Sequence, residues 1–331
     1  MLGPTATGKT RLGVGLARRF EGEVVSADSR QVYRGMDIGT GKDRCDYGVG
    51  AAAVPVHLLD LAEPREEFNL HRYIECFRRV LAQLAARRRL PVVVGGSPLY
   101  LKAIIEDYDL PGGPPNHEFR QSLSALSDSD LVERLRTRAP DLLSRVDLTQ
   151  RRRVVRALEI ARTRNLAECG QSRPPRLTPL LLAPYYPRAE VHRRIEQRLR
   201  ERLREGLLEE VEGLHKAGVS WERLACFGLE YRCAAEFLAG RIEYDRFFER
   251  LLASIRRFCK AQDCWYRRFE RDGWPIHWLP EGDFARAAEL VERFLAGREL
   301  PPPALRLQDI RYGPRSDRHR RKGTRDCRRD D

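Results

Sequence analysis

Gly3-Pro4-Thr5-Ala6-Thr7-Gly8-Lys9-Thr10 has the spacing G-x-x-x-x-G-K-[ST], and a helix-compatible run, Arg11 to Phe20, follows it. The glycines let successive backbone N–H groups curl around phosphate oxygens. Lys9 adds a point charge, and the Thr10 hydroxyl can reach a magnesium ion. The helix that follows points its positive end at the same anion. The stretch therefore selects a diphosphate or triphosphate, without saying what becomes of it. Only Met1 and Leu2 precede it, too few for the buried strand that normally feeds such a loop. The reading expects a shortened start and a less firmly held loop.

Outward from the loop, Glu23-Val24-Val25-Ser26-Ala27 reads as a short strand with Asp28 at its C-terminal end. Leu70, Tyr73, Ile74, Phe77, Val80, Leu81 and Leu84 recur at helical spacing and predict an amphipathic helix over about 69–89. Pro91-Val92-Val93-Val94 is a second buried strand, cut by Gly95-Gly96, and a helix can restart at Ser97 or Pro98. Strand alternating with helix argues for an α/β fold, a parallel sheet of the phosphate-loop NTPase kind flanked by helices. Ligands of such sheets bind beyond the C-terminal strand ends, where Gly3–Thr10, Asp28 and Gly95–Ser97 all fall.

The break Leu110-Pro111-Gly112-Gly113-Pro114-Pro115 closes a first core segment, 1–116. Residues 117–174 read as an inserted all-helical unit that ends in a loop from Gln171 to Pro175, and 175–298 as the second core segment. A strand is expected over Leu177–Leu182, a long helix over 191–214 and another over about 244–269. Arg194, Arg198 and Arg202 share one helix face; Arg194 and Arg202 are read as a solvated stripe beside Glu196, Glu201 and Glu205. Residues 299–331 form a basic tail that is expected to be disordered.

The 331 residues carry 61 Lys and Arg against 48 Asp and Glu, a net charge of +13. The apolar fraction of 42% supports a globular core, and the excess charge favours a polyanionic partner, nucleic acid first. Part of that excess, nine basic residues against four acidic ones, lies in 311–331. The eight cysteines are scattered, with no C-x-x-C pair and no zinc-ligand spacing. No apolar run long enough for a membrane span or a signal peptide is present. A cytoplasmic protein with reduced thiols is expected.

Further blocks narrow the reading: Ser26-Ala27-Asp28-Ser29-Arg30-Gln31-Val32-Tyr33-Arg34-Gly35-Met36-Asp37-Ile38-Gly39-Thr40, Pro55-Val56-His57-Leu58-Leu59-Asp60, Val94-Gly95-Gly96-Ser97-Pro98-Leu99-Tyr100, Arg153-Val154-Val155-Arg156-Ala157-Leu158-Glu159, Gly228-Leu229-Glu230-Tyr231-Arg232 and Ile276-His277-Trp278-Leu279. With the phosphate loop, and in this order, they resemble the tRNA dimethylallyltransferases, or tRNA isopentenyltransferases, from about residue 3 to about 296. The resemblance implies transfer of a dimethylallyl group from dimethylallyl diphosphate to N6 of adenosine 37 of a tRNA, with release of pyrophosphate and with Mg2+ held at Thr10. It implies a monomer with no membrane partner.

By the same resemblance Asp28 is the general base, Ser97 stands between diphosphate and adenosine where the family has Thr, and Arg198 reaches the pyrophosphate. Gly3, Pro4, Thr5, Ala6, Thr7, Gly8, Lys9 and Thr10 bind the diphosphate. Asp28, Ser29, Arg30, Gln31, Ser97, Arg152, Arg153, Val154, Val155 and Arg156 face tRNA, with Arg120 a weaker contact. Read alone, Asp28 is equally a turn or capping aspartate, and Ser97 the N-cap of the next helix. The chain departs from the family at Val56, where Pro-His-His is usual, and at Ala261, where Lys-Arg-Gln is. Two other classes stay open. A phosphate-loop kinase or NTPase would use Asp60 as its magnesium aspartate. A tRNA-binding protein could have lost catalysis with its first strand.

Overall fold

The computed structural model describes residues 1–50, 53–108, 113, 115–144, 146–163 and 177–310. The phosphate loop runs directly into α1 (Lys9–Arg19), and β1 (Glu23–Ser26), buried throughout, returns toward the same end. After β2 (Val56–His57), Asn69 caps α2 (Leu70–Ala86) by accepting the Arg72 N–H at 3.0 Å. Then come β3 (Pro91–Val94) and α3 (Pro98–Ile105), with proline in the first turn, where its missing N–H is not needed.

Four helices follow: α4 (His117–Ser122), α5 (Asp128–Arg138), α6 (Pro140–Leu143) and α7 (Arg151–Thr163). Ser127 and Asp130 form a reciprocal capping box on α5. These helices bury a core of their own, with Leu123, Leu131, Leu135, Val154 and Leu158 at its centre. The loop expected from Gln171 to Pro175, most of the Leu110–Pro115 break and residues 311–331 of the tail lie outside the described residues, whereas 299–310, expected to begin a disordered tail, pack on the core: Leu307 is 1% exposed, and the Leu307 and Gln308 N–H groups donate to Glu270 at 2.9 Å each.

The chain returns through β4 (Leu181–Tyr185), then α8 (Arg188–Arg204), α9 (Leu207–Lys216), α10 (Trp221–Ala225), α11 (Leu229–Leu238), α12 (Tyr244–Arg271), β5 (Ile276–Pro280) and α13 (Phe284–Leu295). Two expectations change here. The strand starts at Leu181, the first residue to pair with β5, rather than at Leu177. It also runs through Pro184, which a sequence reader takes as a stop. Pro184 is tolerated because its nitrogen faces the side where the chain leaves Leu2 for the phosphate loop, so no ladder bond is lost. The long helix expected over 191–214 is two helices. Gly206 has φ +102°, a left-handed conformation that only glycine adopts without strain, and it starts α9 in a new direction.

Strands β2-β1-β3 form one parallel sheet, with Val24 opposite Val56 and Val92. Strands β4 and β5 form a second parallel pair. Residues 1 and 2 join the two. The Met1 amine donates to the Val93 carbonyl at 2.7 Å, Gly95 N–H donates to the Met1 carbonyl at 3.2 Å, and Leu2 N–H donates to the Leu182 carbonyl at 2.9 Å. The two residues that precede the loop thus bridge the sheets without forming a strand. Alternation does the rest. Val25, Ala27, Leu181 and Ala183 face α2, α3 and the end of α12. Val24, Val94 and Leu182 face the opposite side, where α1 and α13 pack. Among the described residues no helix is long and apolar enough to cross a membrane.

Candidate active site

Three chain segments leave the C-terminal ends of β1 and β3 and the N-terminus of α1 together, as parallel-sheet topology requires. They line a cavity of about 720 Å³. Lys9 and Thr10 sit in its wall with Asp28, Ser97 and Gly96. The Lys9 ammonium donates to the Pro4 carbonyl at 3.2 Å. Burial, then repulsion from Arg198, lowers its pKa to about 8 against the opposing pull of Asp28 and Asp43. A half-buried cation in such company is poised to receive an anion.

Asp28 uses one oxygen, Oδ1, to accept the Arg30 N–H at 2.9 Å, so the turn-forming role read from sequence is real. It occupies one carboxylate oxygen and leaves Asp28 on the cavity wall. Ser97 opens α3, but its hydroxyl caps nothing. Its Oγ instead accepts Ser29 N–H at 2.9 Å and lies 3.2 Å from Ser29 Oγ. That ties the ends of β1 and β3 together. Gln31 spans to the far rim, donating to the carbonyls of Thr40 and Gly41 at 3.3 and 3.0 Å.

Within the loop, Thr5 lines the cavity, whereas Thr7 turns inward and donates to the Pro4 carbonyl at 2.9 Å. Gly3 offers its carbonyl to Tyr266 Oη at 2.9 Å. Ala6, with φ +62°, forms the tight bend of the loop, and Gly8 precedes the first turn of α1. Gln262 locks this shape. It lies on the buried stripe of α12 with Phe247, Leu251, Ile255, Cys259, Tyr266 and Phe269. Its Oε1 accepts Thr5 N–H at 2.9 Å and its Nε2 donates to the Gly96 carbonyl at 2.7 Å. One side chain thus joins the phosphate loop to the turn after β3. Local sequence could not reveal this role, because both partners lie more than 160 residues away; only the helical register of Gln262 with the apolar stripe hinted at burial.

Helix α8 contributes Arg198 and Arg202. Arg198 is paired with Asp43. Arg194 is half-buried and meets the stripe expectation only in part: its acidic partner is Glu190, at 2.6 Å, rather than Glu196, Glu201 or Glu205, and it lies 3.7 Å from the Tyr186 ring. Arg202 overturns it. Its side chain is only 12% exposed, and its nearest carboxylate oxygen, on Glu230, is 3.6 Å away.

The helical unit presents one arginine to the cavity. Arg152 is exposed and in its wall, with Ser29 and Arg30. The other residues expected to face RNA are placed differently. Val154 is 1% exposed in the unit's core, a correction: its side chain is a packing residue and faces no ligand. Val155 packs against the same core. Arg153 pairs with Asp147 at 3.0 Å. Arg120 and Arg156 converge on Glu159, at 2.8 and 3.0 Å. Burial alone would raise the Glu159 pKa, but hydrogen bonds from Arg120 and Arg156 hold it below the usual range.

The departures from the family pattern, Val56 and Ala261, are not among the residues that line the cavity. Val56 belongs to β2, while His57 bonds Glu23 at 2.6 Å. Ala261 lies on the exposed side of α12, next to buried Gln262. Asp60 is taken up by Lys42 and Arg44, each at 2.5 Å, which leaves it unsuited to hold a nucleotide's magnesium. Among the described residues no group of three or more His, Cys, Asp or Glu could cage a metal ion. Magnesium needs none: it keeps waters and takes substrate phosphate oxygens with one or two protein ligands. Thr10, in the wall beside Lys9, fits that use.

A phosphate loop facing an acid, a hydroxyl and arginines, at the mouth of a parallel sheet, defines a group-transfer enzyme acting on a phosphorylated substrate. The profile of the IPP transferase family matches residues 31–269, and the chain belongs to that family. It is 45% identical over 297 residues to tRNA dimethylallyltransferase 1 of Geotalea uraniireducens, covering 89% of this chain and 97% of the relative. It is 46% identical to tRNA dimethylallyltransferase 2 of Trichlorobacter lovleyi, covering 89% and 96%. The crystal structure of the tRNA isopentenylpyrophosphate transferase of Bacillus halodurans superposes with a TM-score of 0.62 at 29% identity, covering 89% of this chain and 94% of that one. A eukaryotic dimethylallyltransferase acting on tRNA shares the fold, with a TM-score of 0.70 over 90% of this chain and 79% of its own.

Proposed function

We propose that this protein transfers the dimethylallyl group of dimethylallyl diphosphate to N6 of adenosine 37 in tRNA, acting as a cytoplasmic monomer. The observation that carries the reading is a single cavity lined together by Lys9, Thr10, Arg198, Asp28, Ser97 and, from the helical unit, Arg152. The C1–O bond of the donor breaks and a C1–N6 bond forms. Pyrophosphate carries away the bonding electrons. Negative charge grows on that leaving group, so the phosphate-loop N–H groups, Lys9 and Arg198 stabilise the transition state more than the ground state. Magnesium at Thr10 would add Lewis-acid stabilisation of the departing oxygen.

The N6 amine loses its proton as it attacks, and Asp28 accepts it through the carboxylate oxygen that the turn leaves free. Ser97 stands between donor and base, its hydroxyl oriented by Ser29. An adenine stacked in an anticodon loop cannot reach this depth, so the nucleotide must leave its stack. Arg152, together with Ser29, Arg30 and Gln31, would hold the displaced backbone. Phosphoryl transfer is the weaker reading, because Asp60 is neutralised by two cations.

Asp28→Ala tests the proposal. With labelled donor, magnesium and unmodified tRNA, wild type yields prenylated adenosine. The variant should be slower by about 100-fold or more, with tRNA Kd changed less than about twofold. Near-normal turnover would remove Asp28 from the mechanism, and ATP hydrolysis without prenyl transfer would replace the reading itself.

A further inference from the structure

Gly41 marks an unusual meeting of like charges. Its φ is +65°, and a Cβ built there would collide with Nη2 of Arg202 and stand 2.7 Å from Nη2 of Arg198. Both guanidinium groups therefore reach the same point above one glycine, on the wall of the cavity that holds Lys9. Two guanidinium groups one helical turn apart on α8 repel at that distance, more so where water is scarce. An arrangement of this kind lowers its energy by taking an anion between the two forks.

The acidic groups nearby do not discharge it evenly. Arg198 has Asp43 as a close partner. Arg202, nearly buried, has its closest carboxylate oxygen 3.6 Å away on Glu230, outside hydrogen-bond range. Burial and Arg198 both lower the pKa of Arg202, while Glu230 and Asp43 oppose them. Burial likewise raises the Glu230 pKa, so the carboxyl opposite Arg202 is itself a reluctant anion.

We propose that Arg202 is a second arginine for the leaving diphosphate, closing with Arg198 on the pyrophosphate oxygens that Lys9 and the phosphate loop hold. The inference rests on the reading of the cavity as a prenyl-diphosphate site. Glu230 then serves as a placeholder that yields when the phosphate arrives, and Gly41 is glycine because the two forks need its space.

The experiment measures pyrophosphate affinity by calorimetry, and kcat and KM for dimethylallyl diphosphate, in Arg202→Met, Arg202→Lys, Arg198→Gln and Glu230→Gln. A charge-assisted hydrogen bond is typically worth 10- to 100-fold. Arg202→Met should weaken pyrophosphate binding and kcat/KM for the donor by about that factor, with tRNA affinity unchanged. Arg202→Lys should recover part of the loss. Glu230→Gln should bind pyrophosphate as tightly as wild type or more so. If Arg202→Met binds pyrophosphate normally while Arg198→Gln does not, the role assigned to Arg202 falls and the diphosphate site stands. If Glu230→Gln loses affinity in parallel with Arg202→Met, the pair is structural and the inference is overturned. Normal pyrophosphate binding in both Arg198→Gln and Arg202→Met would remove the diphosphate reading itself.

Discussion

Replacing Gln262 with Leu keeps the volume of a side chain that is 2% exposed and removes both of its hydrogen bonds. Thr5 N–H and the Gly96 carbonyl lose their partner. Each buried polar group left unpaired costs about 1–3 kcal/mol, so the variant should lose about 2–6 kcal/mol. At roughly 2 cal/mol/K of unfolding entropy per residue, a chain of 331 residues shifts its Tm by about 1.5 °C per kcal/mol. The expected fall is therefore about 3–9 °C by calorimetry. Activity should suffer more than stability. Thr5 lies in the wall proposed to bind the diphosphate and Gly96 precedes Ser97, so on that reading both substrates lose registration at once, and a shift of about 1 Å costs on the order of 100-fold in kcat. Gln262→Glu should fall between, since it can still accept from Thr5 but opposes a carboxylate to the Gly96 carbonyl. A Gln262→Leu protein with wild-type Tm and wild-type kcat would refute the idea that α12 sets the loop.

Lys9→Ala should raise KM for the prenyl donor and lower kcat together, because the ammonium meets the phosphate before and during departure; steady-state kinetics at saturating tRNA measures both. The Lys9 pKa of about 8 carries a sign: the charged form, which binds the donor, exists below that value. kcat/KM for the donor should therefore decline as pH rises through about 8, and the decline should vanish in Lys9→Ala. The helical unit separates two kinds of arginine. Arg152→Ala should weaken tRNA binding and reduce its log–log salt slope by somewhat under one unit without lowering Tm. Arg156→Ala removes one of the two arginine partners of the buried Glu159 carboxylate and should cost about 1.5–3 kcal/mol of stability, read by thermal melting.

Features carried by neighbouring residues were legible in the sequence. The phosphate loop, Asp28 beyond β1 and Gly95–Ser97 beyond β3 depend on a few adjacent residues and on a rule of sheet topology. The hydroxyl at Ser97 and a helix over about 244–269 followed the same way. What escaped depends on groups far apart in the chain. Arg202 shares a helix face with Arg198, and that spacing was visible, but only the approach of Gly41 and Glu230 turns the face inward. Gln262 has no local signature, since its partners are Thr5 and Gly96. Arg120 and Arg156 read as free cations until Glu159 is seen to hold them. Val154 sits at a core position of α7 that its arginine neighbours disguise. The break at Gly206 was a backbone event hidden under an unbroken apolar period. The weak loop expected from a two-residue lead was answered by bonds from Leu182, Gln262 and Tyr266.

Those last bonds impose an order of assembly. Leu2 waits for Leu182, Thr5 for Gln262 and Gly3 for Tyr266, and the β4 register waits for Ile276 to Pro280. Loop residues 3–10 are synthesised before β5 (Ile276–Pro280), and the loop is completed only once that strand is made. Contacts of such long sequence separation form slowly. Until then the nascent polypeptide has no completed loop. Donor bound to the finished loop would stabilise contacts between the first and last parts of the chain, so the small substrate also acts as a clasp on the completed fold.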